Sequence, residues 1–204
     1  MSERDMWQFE KKYFEQGIKL ICGVDEAGRG PLAGPVCAAA VILPLNLDIP
    51  GLDDSKKLSD KRRRELFPII QEQAIAYAVA FADHKEIDEI NILQATFLAM
   101  ERAISALPVK PEVALIDGNR QKDFGIPVET VVKGDSRSAS IAAASVLAKV
   151  TRDDVMLEMA QKYPQYGFEV HKGYGTKVHY SALAEFGPCP IHRMSFLKKL
   201  YGTE

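Results

Sequence analysis

Three aspartates in this sequence each follow a short apolar run. The runs and their acids are residues 20–24 before Asp25, residues 112–116 before Asp117, and residues 127–132 before Asp135. Apolar runs of this length, bounded by turn-forming residues, are typical of buried strands. Because functional groups gather at the strand ends of an open α/β sheet, we expect the three aspartates to meet in one crevice. The pattern therefore predicts an α/β fold with an acidic site at the edge of its sheet.

The remaining periodic segments predict the layers around that sheet. Residues 36–43 form a second strand after a glycine- and proline-rich connection, which suggests an antiparallel pair with the first strand. Residues 74–82 alternate small and large side chains, as a strand does. Residues 91–107 predict an amphipathic helix, and residues 139–162 predict a long helix whose alanine-rich half suits tight packing on a sheet. We expect one domain over residues 1–204, ending in a short helical tail.

The charge balance limits the partners of the protein without excluding nucleic acid. With 26 Lys+Arg against 28 Asp+Glu, the formal net charge is −2, which excludes a uniformly basic coat but not local basic patches. Cys22, Cys37 and Cys189 are far apart in the sequence and predict reduced thiols in a cytoplasmic protein. The longest uncharged segment, residues 30–47, contains three prolines and is not expected to span a membrane.

Carboxylates without neighbouring cysteine or histidine ligands favour a hard cation at the acidic site. Such a cluster suits Mg²⁺ or Mn²⁺ better than Zn²⁺, and without cations its members would repel one another and titrate together. Glu26 follows Asp25, and neighbours on a regular strand point to opposite faces, so both serve one site only if the strand breaks its pleat. Taken singly, each acid has a simpler explanation, because Asp117-Gly118 is a common turn pair and Asp135 would also suit a helix cap.

Other catalytic signatures are absent from the sequence. It contains no G-x-S-x-G, H-E-x-x-H or G-x-x-x-x-G-K-[ST] motif. Gly28 and Gly30 precede prolines and a strand, whereas a dinucleotide-binding loop opens a helix. His171, His179 and His192 lack the spacing of paired metal ligands, so we expect them to be structural or substrate-side groups.

A series of longer motifs resembles one known family. Residues 23–36, which run Gly-Val-Asp-Glu-Ala-Gly-Arg-Gly-Pro-Leu-Ala-Gly-Pro-Val, are similar to the signature of ribonuclease HII, the bacterial type 2 ribonuclease H. The resemblance continues in the family's order and covers nearly the whole chain from about residue 20. It extends through residues 54–59, 116–118, 133–135, 142–153, 171–174 and 191–196.

The resemblance implies a ribonuclease H-like α/β fold, with a mixed central sheet flanked by helices. It also implies two divalent ions, Mn²⁺ or Mg²⁺, and four acidic metal ligands, Asp25, Glu26, Asp117 and Asp135. The family's reaction is endonucleolytic cleavage of RNA in RNA/DNA hybrids, including a single ribonucleotide embedded in duplex DNA. Cleavage lies on the 5′ side of a ribonucleotide and leaves a 3′-hydroxyl and a 5′-phosphate, which implies a role in DNA replication and repair.

The resemblance assigns substrate-binding residues as well. The backbone of Gly28, Arg29 and Gly30 is expected to sense the 2′-hydroxyl, which distinguishes RNA from DNA. Tyr174 matches the family tyrosine that stacks on the neighbouring deoxyribose. Lys56 matches a position that contacts phosphate.

Several alternatives follow from the same residues. The basic run at residues 61–64 has two equally good interpretations, a contact with a nucleic-acid groove and a solvated helix face. We expect a monomer. Because the sequence stops at residue 204, soon after His192 and Arg193, we expect it to lack the extended C-terminal region and the sliding-clamp-binding tail of some relatives. The rival hypotheses are a catalytically silent nucleic-acid-binding module on the same fold and a metal-dependent phosphatase of small nucleotides. The four acids argue against the first, and the basic stretch at residues 56–64, together with Tyr174, argues against the second.

Overall fold

A five-stranded sheet forms the centre of the protein in the computed structural model, which describes residues 5–202. The strands are β1 (Ile21–Ala27), β2 (Val36–Ile42), β3 (Ala76–Ala82), β4 (Val113–Asp117) and β5 (Val128–Val131). They lie in the order β3-β2-β1-β4-β5. β2 pairs antiparallel with both β1 and β3, whereas β1, β4 and β5 are parallel to one another. The predicted mixed sheet and the predicted antiparallel pair of the first two strands are both confirmed.

Helices cover both faces of this sheet. They are α1 (Gln8–Phe14), α2 (Asp60–Gln73), α3 (His84–Ser105), α4 (Ala139–Lys162), α5 (Phe168–His171), α6 (Lys177–Phe186) and α7 (Lys198–Tyr201). On one face α3 packs against β2 and β3, and on the other α4 crosses β1 and β2 with α2 alongside it. None of the helices within residues 5–202 has the length and apolar character that crossing a membrane requires.

The two faces of β3 contact different apolar clusters. Ala76, Ala78 and Ala82 are buried against the α3 side of the sheet. Val79 and Phe81, which alternate with them, pack on the side of α2 and α4. The small side chains let α3 approach the sheet closely, as the alternation of small and large residues predicts.

The first turn of α4 lies directly on β1 at Gly23. A Cβ atom at Gly23 would lie 2.1 Å from the carbonyl carbon of Ser140 and 2.2 Å from the backbone nitrogen of Ile141. Only glycine therefore fits this crossing. The Ser138 hydroxyl caps the helix by accepting a hydrogen bond from the Ile141 amide at 3.2 Å. The predicted helix over residues 139–162 is confirmed, and its start is held against the middle of the sheet.

The helix predicted over residues 91–107 begins earlier, at His84. Asp83 and Glu86 form a capping box that starts α3. At Asn91 the backbone leaves helical geometry, with φ of 66°, and the Asn91 side-chain oxygen accepts hydrogen bonds from the amides of the following turn. The amphipathic pattern identified only the second part of α3, because Asn91 is itself a cap inside the longer helix.

A third apolar cluster joins the C-terminal segments to α4 and to the loop between β1 and β2. The rings of Tyr166 and Phe168 stack with centroids 5.4 Å apart and pack near Leu197. An isolated bridge between Ala33 and His192 ties the end of the chain to the loop between β1 and β2. Residues 1–4 and 203–204 of the expected domain lie outside the described residues.

Gly23→Ala is expected to destabilise the fold, because its methyl group would displace the backbone of α4 and not a flexible side chain. Overpacking typically costs about 1–3 kcal/mol, so the free energy of unfolding in urea should fall by that amount. Gly30→Ala is the matched control, since Gly30 has no positive φ and its Cβ would make an ordinary 3.5 Å contact with Tyr174. Equal stability of the two variants would contradict the close crossing.

Candidate metal site and its flanking loops

Three carboxylates meet where the β1–β4 ladder ends. Val24 pairs with Ile116 in this parallel ladder, so Asp25 and Asp117 are the next residues on adjacent strands. Asp135 follows β5 on a short 3₁₀ turn. One oxygen from each aspartate lies within 4.8 Å of the others. The predicted meeting of the three aspartates is therefore confirmed.

Glu26 lies on the opposite face of β1 from Asp25. The strand does not stop before Asp25, as its apolar run predicts, but continues in register with β2 to Ala27. Because the pleat is preserved, consecutive side chains point to opposite faces. Glu26 borders a small cavity lined by α3, and Asp117 borders the same cavity. Asp117 is thus the acid that connects the two faces.

The turn after β5 is built around the Asp117 carboxylate. This carboxylate accepts a hydrogen bond from the Gly134 amide at 2.6 Å, which joins the end of β4 to the turn that carries Asp135. Lys133 enters the turn in the left-handed region, with φ of 56°. Ser138, not Asp135, caps α4. The explanation of Asp135 as a helix cap is therefore wrong.

Burial and repulsion from neighbouring carboxylates raise the pKa values of Asp25, Glu26 and Asp135. Burial is the larger effect on Asp25, whose pKa lies well above its ordinary value, and the charges of Glu26 and Asp117 raise it further. Burial and Asp117 also raise the pKa of Asp135. Burial raises the pKa of Glu26, although Arg29 opposes that shift. A divalent cation would relieve this repulsion, and an all-carboxylate donor set fits Mg²⁺ or Mn²⁺.

A recess of about 490 Å³ opens beside Asp117 and Asp135. Lys56 lies in it with Nζ 3.4 Å from Oδ2 of Asp135, and 77% of the Lys56 side chain is exposed. Lys57 and Lys133 border the same recess. Amines at the rim of an acid cluster attract a phosphate group to the place where a cation would be held.

The arginines of the basic run at residues 61–64 are engaged within the chain. Arg63 donates hydrogen bonds to the carbonyls of Ser55 and Leu58, which holds the loop that carries Lys56 against α2. The other two arginines form ion pairs, Arg62 with Glu65, and Arg64 with Asp60 and Asp154. These contacts favour the interpretation of the run as a helix face.

The loop that follows β1 presents its backbone beside the acids. Gly28 adopts a left-handed conformation with φ of +95°, and a Cβ atom there would lie 2.1 Å from Nε of Arg152. The Arg29 side chain is half-exposed and reaches back to Glu26, with 3.4 Å between Nη1 and Oε1. Gly30 is exposed. Gly28 is buried, and its lack of a side chain makes room for Arg152, whereas the exposed Gly30 lets another molecule approach the main chain closely.

Tyr174 lies against the same loop. A Cβ atom on Gly30 would lie 3.5 Å from Cε1 of Tyr174, and 44% of Tyr174 is exposed. The guanidinium carbon of Arg152 lies 5.8 Å from the centroid of the tyrosine ring. The Leu32 amide donates a hydrogen bond to the Gly173 carbonyl at 2.8 Å, which joins the two segments. The structure thus places the predicted glycine loop and the predicted stacking tyrosine next to each other.

Two buried arginines near this site were not identified from the sequence. Arg152 and Arg193 are both 0% exposed, and their guanidinium groups donate hydrogen bonds to backbone carbonyls of residues 28–35. Arginine is almost never fully buried without such partners. The available signal was the charge of Arg152 within an otherwise alanine-rich, sheet-packing helix.

Three of the four histidines form a buried cluster. His171, His179 and His192 are buried, and the rings of His171 and His179 stack with centroids 4.5 Å apart. Within residues 5–202, the side chains positioned to share a metal ion are the three aspartates and not these histidines. Their burial favours the structural role over the substrate-side role.

Comparisons with known proteins agree with the site and the fold. The family model described as Ribonuclease HII matches residues 22–199. The protein named Ribonuclease HII from Endomicrobium trichonymphae is 56% identical over 193 residues, which cover 94% of this chain and 92% of that protein. The protein of the same name from Dechloromonas aromatica is 60% identical over 179 residues, which cover 88% of this chain and 91% of that protein.

A solved structure is similar over most of the chain. It is a chain of the PCNA:RNase HII complex from Archaeoglobus fulgidus, which is 26% identical, with a TM-score of 0.72 over 89% of this chain and 95% of that chain. The matched regions contain the aspartate cluster, the glycine loop and the tyrosine described above. This chain therefore belongs to the ribonuclease HII family.

Proposed function

We propose that this protein is a metal-dependent endonuclease that hydrolyses the RNA strand of RNA/DNA hybrids and nicks duplex DNA on the 5′ side of embedded ribonucleotides. Its products carry a 3′-hydroxyl and a 5′-phosphate. The observation that carries the proposal is that Asp25, Asp117 and Asp135 place carboxylate oxygens within 4.8 Å of one another at the edge of the sheet. The glycine loop starts at this edge and packs against Tyr174. Membership of the ribonuclease HII family supports the same reaction.

The acids argue for catalysis over binding alone. Carboxylates repel a phosphate backbone, so a module that only binds nucleic acid gains nothing from gathering three of them in one cluster. With cations present, the same carboxylates become the support for phosphodiester hydrolysis. A catalytically silent module on this fold is the second candidate, and loss of cleavage on substitution of an acid distinguishes the two.

The acids are proposed to divide the metal ligation among them. Two bound divalent ions, Mn²⁺ or Mg²⁺, would activate a water molecule and stabilise the leaving 3′-oxygen. Asp25 and Asp117 would hold both ions, since they are side by side on β1 and β4. Asp135 would complete the side facing the recess. The preserved pleat turns Glu26 toward α3 and away from Asp25, so Glu26 would reach an ion only through the space that it shares with Asp117. The position of Asp117 at the border of both spaces supports this division.

Substrate recognition is proposed to use the main chain of one loop and the ring of Tyr174. The backbone of Gly28, Arg29 and Gly30 would sense the 2′-hydroxyl, for which close approach of the chain is required. Tyr174 would stack on the deoxyribose next to the ribonucleotide, which its exposed ring permits. Lys56 would contact phosphate from the recess that also contains Asp135.

The cellular setting is proposed from the family and the thiols. Cys22 and Cys37 are buried free thiols, and Cys189 is a free thiol that is partly buried. Free thiols are typical of a reducing compartment. We propose a monomer that acts in the cytoplasm on hybrids and ribonucleotide-containing DNA formed during replication and repair.

Asp25→Asn should raise the melting temperature of the metal-free protein and abolish the rise that Mn²⁺ produces in the wild type. The substitution removes a buried charge repelled by Glu26 and Asp117, and it also removes a metal ligand. For a domain of this size, each kcal/mol corresponds to about 2–4 °C in a thermal scan with EDTA or added Mn²⁺. Asp48→Asn is the matched control, because Asp48 is exposed and far from the acids in sequence. A normal Mn²⁺ response in Asp25→Asn would contradict the assignment.

Asp117→Asn should abolish cleavage of a duplex that carries one ribonucleotide while leaving duplex binding largely intact. Removing a ligand that supports both ions costs several kcal/mol of transition-state stabilisation, so the rate should fall by at least about 100-fold. Cleavage is measured on labelled duplexes with Mn²⁺ or Mg²⁺, with Asp48→Asn and an all-DNA duplex as controls. Unchanged cleavage by Asp117→Asn, or similar cleavage of all-DNA by the wild type, would refute the proposed function.

Tyr174→Ala should reduce cleavage at a single embedded ribonucleotide more than cleavage of a long hybrid. Stacking on an aromatic ring contributes about 1–3 kcal/mol, so the single-ribonucleotide rate should fall by about 5- to 150-fold. Tyr174→Phe keeps the ring and should retain the wild-type preference. Equal losses on the two substrates would remove Tyr174 from recognition of the junction.

A further inference from the structure

Arg193 fixes the glycine loop through backbone carbonyls. Its guanidinium donates hydrogen bonds to the carbonyl oxygens of Gly28 at 2.6 Å, Arg29 at 3.0 Å and Gly34 at 2.9 Å. Its own amide also donates to the Leu32 carbonyl at 2.9 Å. Hydrogen bonds from a charged donor are stronger than neutral ones, and the planar fork of arginine serves several acceptors at once. Arg193 thus holds the loop from the protein interior, while Arg29 and Gly30 remain exposed to solvent.

His192, the preceding residue, is the start of a hydrogen-bonded chain to Tyr174. Nδ1 of His192 lies 2.9 Å from the Cys189 amide nitrogen, 3.1 Å from Cys189 Sγ and 3.2 Å from the Cys189 carbonyl oxygen. Because the amide can only donate and makes the shortest of these contacts, we assign Nδ1 as the acceptor and place the proton on Nε2. Nε2 of His192 lies 3.0 Å from Nε2 of His179 and donates to it. Nδ1 of His179 then donates to the Tyr174 carbonyl at 2.9 Å. Each donor in this chain meets one acceptor.

Both rings of this chain are neutral near neutral pH. Burial lowers the pKa of His192 to about 4 and lowers the pKa of His179 below its ordinary value. Neutral rings keep one donor and one acceptor nitrogen each, so the direction of the chain is constant. The Tyr174 backbone is therefore held from the interior, while the ring remains exposed to solvent.

A second set of contacts holds the residue before Tyr174. The Gly173 amide donates to Nδ1 of His171 at 3.1 Å, and Nε2 of His171 donates to the Tyr166 carbonyl at 2.7 Å. The Gly173 carbonyl accepts from the Leu32 amide of the glycine loop at 2.8 Å. The glycine loop and the tyrosine loop are thus tied to one another and, through His192 and Arg193, to one short segment.

We propose that His192 and Arg193 are positioning residues that set the distance between the 2′-hydroxyl-sensing loop and Tyr174, and thereby the selectivity for ribonucleotides followed by deoxyribonucleotides. The inference rests on the proposed function and deepens it. Neither side chain is exposed, so neither touches nucleic acid. The bridge between Ala33 and His192 keeps their backbone in register with the glycine loop.

The test of His192 is a double-mutant cycle with Tyr174. Binding of labelled duplexes is measured by fluorescence anisotropy with Ca²⁺, on a duplex with one ribonucleotide and on an all-DNA duplex, with intactness checked on a denaturing gel. The preference is the ratio of the Kd for the all-DNA duplex to the Kd for the single-ribonucleotide duplex. Introduced alone, His192→Phe should reduce this ratio about tenfold, and introduced into the Tyr174→Ala variant it should leave the ratio unchanged. His192→Gln should restore it, because its amide can donate to His179. Additive losses in the double variant would overturn the proposal.

The test of Arg193 separates loop position from folding and from metal binding. Arg193→Lys keeps the charge but loses the three-carbonyl fork, so kcat/KM should fall about tenfold more on the single-ribonucleotide duplex, which uses both the glycine loop and Tyr174, than on the long hybrid. Equal falls on the two substrates would overturn the role of Arg193 in selectivity. The Mn²⁺-dependent rise in melting temperature should remain. Unchanged kcat/KM, or loss of the Mn²⁺ response together with stability, would overturn the positioning role.

The same measurements separate this inference from the proposed function. A wild type that binds the ribonucleotide duplex selectively but cleaves nothing with Mn²⁺ or Mg²⁺ would refute the endonuclease, and the binding cycle would still decide the role of His192. A wild type that cleaves but shows no binding preference between the two duplexes would overturn the positioning proposal alone.

Discussion

The parallel pairing of β1 with β4 is the constraint on which the rest of the structure depends. It places Asp25 and Asp117 side by side, and the crossing of α4 over Gly23 anchors the turn that carries Asp135 next to them. Burying like charges together is unfavourable, and this raises the pKa values of Asp25 and Asp135. The same repulsion makes a divalent cation a stabilising ligand, because the cation removes the cost that the fold imposes.

The loops around the acids are held by a different kind of interaction. Buried guanidinium groups of Arg152 and Arg193 bind main-chain carbonyls, which occupies the polar groups on the inner side of the glycine loop. A loop rich in glycine would otherwise be expensive to order. Because these contacts hold the loop from the interior, its outer backbone is available for a sugar. The hydrogen bonds from His192 through His179 to the Tyr174 carbonyl likewise hold Tyr174 from the interior and leave its ring exposed.

Strand placement was largely predictable, whereas the roles of adjacent residues were not. The apolar runs before Asp25, Asp117 and Asp135 identified the strands and the sheet edge, because burial of a strand imposes a local pattern. The end of β1 was predicted too early, since its last residues pair with β2 only and carry charges. Glu26 faces α3 because the pleat continues, and this alternation depends on a partner strand that is distant in sequence.

The sequence by itself determined the α/β class, the aspartates at the sheet edge and, through its motifs, the ribonuclease HII resemblance. These follow from local patterns, which each segment carries independently of its neighbours. Only the tertiary structure decided that Arg193 supports the glycine loop and that the histidines are linked to Tyr174. Such contacts join residues up to 165 positions apart, and no periodicity records them, because a hydrogen bond across the fold depends on where both partners are placed.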